Sequence, residues 1–262
     1  MRLTVVASHA AIINVINMFN SEYHNDYQSV SKLATLYLAT PTEANATPLA
    51  NVLRSVLIRW GAGKRKAPKV QTLQILEATL LNPAFHASLI GFTNGTLTNL
   101  TVIDGSFRMI GNLADEAHLL EFDKRLLSVL SNISTSLLIE NTNVTYPMKV
   151  LLLLTGFMPA LDSQVRKGLS SAGFVGTNVT RFIMPADMDS FQARKLTRLP
   201  FYLGECFATN QSLLTDAAAE SDYPWLVDEP GRLLDVLLFM QGSTASPLFL
   251  FAPKISNWHA LP

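Results

Sequence analysis

The chain has 262 residues, of which 48% are hydrophobic and only 15% charged, against about 25% charged in a typical soluble domain. Twenty basic and twenty acidic residues cancel. These figures exclude a disordered chain, a collagen or coiled-coil rod, and a polycation that coats nucleic acid through its total charge.

The opening segment, MRLTVVASHAAIINVINMF, is interrupted by Ser8, His9, Asn14 and Asn17 and does not read as a signal peptide. Val30 to Leu38 reads as the end of a helix stopped before Pro41. Leu49, Val52, Leu53, Val56, Leu57 and Trp60 recur at three and four, which is one helical face, and Gly61 and Gly63 end it. Val70 to Leu81 is the next helix, and Ala84 to Ile90 is a short one. Thr96 to Ile110 breaks the helical pattern. Its Asp104-Gly105 pair between β-prone flanks suits a small hairpin near 97–110, and a loop fits equally.

Helices then follow over Leu113–Ile133, Pro147–Leu154, Asp162–Ser170, Asp187–Leu199, Ser212–Glu220 and Pro230–Gln241. The fold class is mainly α, a globular multi-helix bundle. One helical domain, 1–262, is expected, or two packed lobes at about 1–95 and 111–262. No apolar run approaches the roughly 20 residues that span a bilayer, so no membrane contact is expected. A single cysteine, Cys206, in the apolar setting FYLGECFA reads as an inert core thiol and suits a cytoplasmic chain. The five histidines are scattered, so no metal and no cofactor are expected.

Charge is uneven within the neutral total. Arg59, Lys64, Arg65, Lys66 and Lys69 lie together in RWGAGKRKAPK. Two glycines free the backbone there, and the cations suit phosphate contact. The same residues also suit a helix C-terminus whose cations satisfy its last carbonyls. Acidic residues crowd the C-terminal part, where Arg232 and Asp235 lie three apart on an apolar helix and are expected to pair.

In KVLLLLTGFMPALDSQVRKGL, an apolar helix runs to Gly156, an extended stretch follows, and Asp162 opens a new helix. Asp162 is a natural N-cap. The cap is the reading its residue type favours; the functional alternative places the carboxylate at the mouth of a groove. Lys149 is expected to snorkel.

The segment Pro159–Leu169, PALDSQVRKGL, resembles the P-V-D-[ST]-H-V-x-R stretch of the helix-hairpin-helix DNA glycosylase superfamily. The resemblance implies that Asp162 is the carboxylate that supports departure of a base. Gln164 stands where the family has His. Thr155-Gly156-Phe157 lacks the second glycine of the family's hairpin, and no lysine occupies the hairpin position. Two functions are expected on these grounds. One is a nucleic-acid-related protein whose candidate phosphate contacts are Arg59, Lys64, Arg65, Lys66, Lys69, Arg166 and Lys167, with Asp162 releasing a base. The other is a non-enzymatic interaction or accessory protein of a bacterial defence or mobile-element system, with a protein partner or a second copy of itself.

Overall fold

Two helices with almost no polar face form the centre of the molecule: α8 (Thr145–Thr155) and α12 (Pro230–Thr244). Leu151–Leu154 and Leu233–Leu238 are buried all round, as expected of helices surrounded by other elements. The computed structural model describes residues 1–109, 112, 113, 115–179, 182–185, 187, 190–244, 246–254 and 256–260.

The order of elements is β1 (Arg2–Val5), α1 (His9–Met18), α2 (Ser21–Ala39), α3 (Glu43–Arg59), β2 (Lys69–Val70), α4 (Leu73–Leu80), α5 (Pro83–Leu89) and α6 (Asn94–Thr98). Then come β3 (Leu100–Ile103), β4 (Ser106–Met109), β5 (Asn112–Leu113), α7 (Glu116–Leu137) and β6 (Leu138–Ile139). After α8 follow α9 (Ser163–Ala172), α10 (Phe191–Thr209), α11 (Gln211–Ala219), a 3-10 turn (Pro224–Asp228), α12 and β7 (Phe249–Ala252). The chain is therefore mainly α, as its periodicity predicts.

The starts of the helices follow from local chemistry. Ser8, Asn20, Thr72, Asn82, Asp115, Asp162 and Ser190 each accept a backbone N–H of the first turn. Gly156, at φ 67°, ends α8 in the left-handed region. The predicted hairpin is present: β3 and β4 pair Ile103 with Ser106, and Asp104 and Gly105 both take positive φ at the turn.

Val70, read as the start of a helix, pairs instead with Leu138 in the β2–β6 strand pair, and three larger features depart from the sequence reading. First, α10 runs through Pro200 to Thr209. The proline removes one donor at a cost of about 3 kcal/mol. Phe201, Tyr202, Leu203, Cys206 and Phe207 are buried beyond it, and each contributes about 1.5–3 kcal/mol, so the helix continues. Residues 188 and 189, at the predicted start of this helix, lie outside the described residues. Second, α1 forms in the opening segment and buries Ile12, Val15 and Ile16. Third, β1 pairs antiparallel with β7, Leu3 opposite Phe251. That strand pair joins the two ends of the sequence.

The backbones of α9 and α12 are in close contact. A Cβ on Gly168 would fall 2.0 Å from the Leu238 carbonyl oxygen, and one on Gly242 would fall 2.0 Å from that of Gln164. Small residues let the two backbones meet and thereby fix where Asp162, the cap of α9, stands relative to α12. A second tie is the buried pair Arg198–Asp123, which joins α10 to α7 with Nη2 donating to Oδ2 at 2.9 Å.

Candidate functional site

Asp162 is held by the turn that precedes it. Gly156 lets the chain leave α8, and Gly231 of α12 presses on that turn so closely that a Cβ there would be 1.9 Å from the Gly156 carbonyl oxygen. The chain then runs extended to Asp162. The Asp162 N–H donates to the Ala160 carbonyl at 2.7 Å. Its Oδ1 accepts the N–H groups of Gln164 and Val165 at 2.9 and 3.0 Å. The cap predicted from sequence is present. The carboxylate is half-buried and also lines a cavity of about 50 Å³.

The same cavity is lined by Lys149 of α8, Arg232 and Asp235 of α12, and Trp60 at the end of α3. Phe19, Tyr23, Ala160 and Phe239 complete it. The sequence left open whether the basic segment, Asp162 and the Arg232–Asp235 pair meet. Asp162 and the Arg232–Asp235 pair do; of the basic segment Trp60 alone lines the cavity, and the loop that carries Lys64, Arg65, Lys66 and Lys69 departs from it.

Asp235 and Arg232 form the predicted ion pair, Nη1 to Oδ2 at 2.6 Å. The guanidinium is 2% exposed. It lies over the rings of Phe19, Tyr27 and Trp60 at 5.1, 5.1 and 5.8 Å, an arrangement that partly replaces lost hydration. Its Nη2 donates to the Tyr23 carbonyl at 3.1 Å. The other oxygen of Asp235 accepts the Ala160 N–H at 2.9 Å. Burial raises the Asp235 carboxyl to about 6, with the Arg232 charge opposing and the Asp162 charge adding to the rise.

Lys149 does not snorkel. Its Nζ donates to the Trp60 carbonyl at 3.1 Å and lies over the rings of Tyr146 and Trp60 at 4.9 and 5.8 Å. Burial holds its ammonium below the ordinary lysine range, and the carboxylates of Asp162 and Asp235 pull the other way. Tyr146 also donates to the Trp60 carbonyl, at 3.2 Å, and burial raises its phenol to about 12.

The cations named from sequence divide. Lys64, Arg65, Lys66 and Lys69 are exposed on the segment that leaves Trp60, and Lys167 is exposed on α9. The amides of Gly63, Lys64 and Ala67 donate to carbonyls within the loop, so contact with an anion falls mainly to the side chains. Arg59 is committed to Asp26 of α2, with Nε donating to Oδ1 at 3.0 Å, although its side chain is 56% exposed. Arg166 is a correction. It is 7% exposed and its Nη1 donates to Leu161 O at 3.2 Å and Thr145 Oγ1 at 3.3 Å. It braces the turn before Asp162 through the Leu161 carbonyl, and little of its surface is exposed.

Cys206 is buried, and burial pushes its thiol up to about 12, as its apolar setting predicts. Among the described residues no group of three or more His, Cys, Asp or Glu side chains could hold a metal ion. Among them too, no helix is long and apolar enough to cross a membrane.

Sequence reasoning passed over Lys149 as a site residue. The signal was its isolation: a lone cation in an apolar helix must find an acceptor when that helix is buried. No family model matches the chain, and no curated protein or solved structure is detectably similar to it.

Proposed function

We propose that this chain acts on nucleic acid and releases a base from its sugar, in the manner of the helix-hairpin-helix glycosylases that the Asp162 segment resembles. One observation carries the reading: Asp162 and Lys149 share one aromatic-walled cavity, and Trp60, its wall, opens directly into the loop bearing Lys64, Arg65 and Lys66. In this reading the loop side chains hold the phosphate backbone. Asp162 faces the sugar and stabilises the positive charge that develops as the C1′–N bond breaks and its electron pair leaves with the base. Lys149, whose burial favours the neutral amine, is the nucleophile available to C1′. A cavity of about 50 Å³ is far below the roughly 300 Å³ or more of a small-molecule site. Tyr23 and Phe239, both partly exposed on its rim, must therefore turn aside to admit a nucleotide.

The test is base release from duplexes carrying deaminated, oxidised or alkylated bases, with borohydride present in a parallel series. Release by the wild type, lost in Asp162→Asn, with a borohydride-stable adduct lost in Lys149→Gln, is the expected result. No release from any substrate by a folded protein that binds DNA would overturn it. The two cap bonds of Asp162 favour a second reading, in which that carboxylate is structural and the chain is a non-enzymatic partner-binding protein whose basic loop meets an acidic surface.

A further inference from the structure

We infer that Asp235 is the positioning residue of this site: from α12 it fixes the turn that carries Asp162 and supplies the second anion that faces Lys149. The inference rests on the reading of Lys149 and Asp162 as the reacting pair.

Two geometric facts support it. Asp235 Oδ1 accepts the Ala160 N–H at 2.9 Å, and the Ala160 carbonyl accepts the Asp162 N–H at 2.7 Å. Asp162 is therefore anchored to α12 through one residue, and a shift of Asp235 moves the cap. Asp235 also lines the cavity with Lys149, Asp162 and Arg232, so two carboxylates, one ammonium and one guanidinium share a space too small for bulk water to screen. The groups facing Lys149 are Tyr146 on its own helix, Tyr23 of α2, Asp162 at the start of α9, and Arg232 and Asp235 of α12. The end of α3 contributes the uncharged Trp60 and its carbonyl.

The signs follow from these partners. Burial favours the neutral amine, and each carboxylate favours the ammonium. With both anions charged, Lys149 keeps more of its proton than burial alone would allow. Burial favours the neutral Asp235 carboxyl, and Arg232 opposes this by direct pairing. Beside burial and Asp162, an ion pair within one helix thereby adds to the forces on the proton of an amine on another. A purely structural Asp235 would brace the turn and leave the amine unaffected.

Trace acetylation with acetic anhydride across pH, read peptide by peptide by mass spectrometry, reports each lysine's midpoint. In Asp235→Asn the Lys149 midpoint should fall by about one pH unit, a tenfold change in the ammonium–amine ratio. Lys32 and Lys254 serve as references and should not move. A folded Asp235→Asn protein with an unmoved Lys149 midpoint would overturn the inference. Where that variant does not fold, the Ala160 amide resonance gives the second reading. It should titrate in the wild type with a midpoint near 6, and higher in Lys149→Met, because coupling between two sites is reciprocal. An Ala160 amide whose midpoint is the same in both proteins would equally overturn it. Neither measurement uses base release, so loss of the enzymatic reading and loss of this coupling are told apart.

Discussion

Lys149 Nζ donates to the carbonyl oxygen of Trp60 at 3.1 Å, so the amine in the cavity is one hydrogen bond from the residue where the basic loop begins. Trp60 caps the C-terminus of α3, where unsatisfied carbonyls and the helix dipole favour a cation. Tyr146 bonds to the same oxygen. The loop's first residue is thus pinned from α8 by two side chains, and the position of Lys64–Lys66 depends on α8 as much as on α3.

The loop charges are expected to carry nucleic-acid affinity. Binding to labelled single- and double-stranded DNA and RNA should weaken with salt. The slope of log K against log salt should be shallower by about two to three in Lys64→Ala/Arg65→Ala/Lys66→Ala than in the wild type. Arg166→Ala should leave the slope unchanged, because its guanidinium is bonded to Leu161 and Thr145. Equal slopes in the wild type and the loop variant would remove these residues from the interface.

At Asp162, cap and chemistry separate by choice of variant. Asn caps as well as Asp does, so Asp162→Asn should be close to wild type in urea denaturation and inactive in base release. Asp162→Ala loses both cap bonds and should be less stable by about 1 kcal/mol. Activity retained by the Asn variant would leave Asp162 as a cap alone.

Most helices were legible because they bury one face, and the start of α9 because Asp162 is a short polar side chain at the head of an amphipathic run. The caps Ser8, Thr72 and Asp115 were not read, because the apolar runs beside them extend past the helix ends or are broken by polar residues. The 103–106 hairpin was legible because Asp104-Gly105 accepts positive φ. What sequence did not carry was non-local. Leu3 pairs with Phe251, nearly the whole chain away, and four residues are too few for alternation to stand out. The site shows the same division. Asp162 and the Arg232–Asp235 pair could be named from local pattern. Their meeting with Lys149 and Trp60 depends on α8, α9, α12 and the end of α3 packing together. Arg166 misled for a related reason: a cation beside Lys167 reads as surface, whereas the helix face that carries Val165 and Leu169 turns Arg166 inward.

The buried pair Arg198–Asp123 is expected to be the most sensitive charged contact outside the site. Both side chains are under 10% exposed, and the guanidinium also lies over Phe107 at 5.4 Å. Asp123→Ala leaves that guanidinium buried and unpaired, which costs about 3–5 kcal/mol. Replacing both partners with Leu and Met should recover most of the loss. Equilibrium denaturation of the single and double variants measures the difference. A loss under 1 kcal/mol in the single variant would mean that water reaches Arg198.

Acid sensitivity follows from His24. Its ring is fully buried, stacked on Tyr223 at 3.8 Å and edge-on to Phe19 at 4.9 Å. Burial, and then the nearby Arg232 charge, lower its pKa from 6.5 to about 3. The unfolded chain takes up a proton as pH falls through 6.5, and the folded chain does not until about 3, so stability is lost as pH falls across that window. The loss is about 2 kcal/mol between pH 7 and pH 5. His259, lowered by burial to about 4, acts in the same direction. Asp235 acts in the opposite one. Its folded pKa of about 6 lies above the ordinary 3.8, so the native state holds a proton that the unfolded chain releases. Stability from that group rises as pH falls through 6, returning about 1 kcal/mol by pH 5. The net expectation is a protein less stable at pH 5 than at pH 7. In His24→Gln the difference between the two pH values should shrink by about 2 kcal/mol, whatever the variant's stability at pH 7. Urea titrations of both proteins at the two pH values decide it, and an unchanged difference would mean that His24 takes up its proton in the folded state.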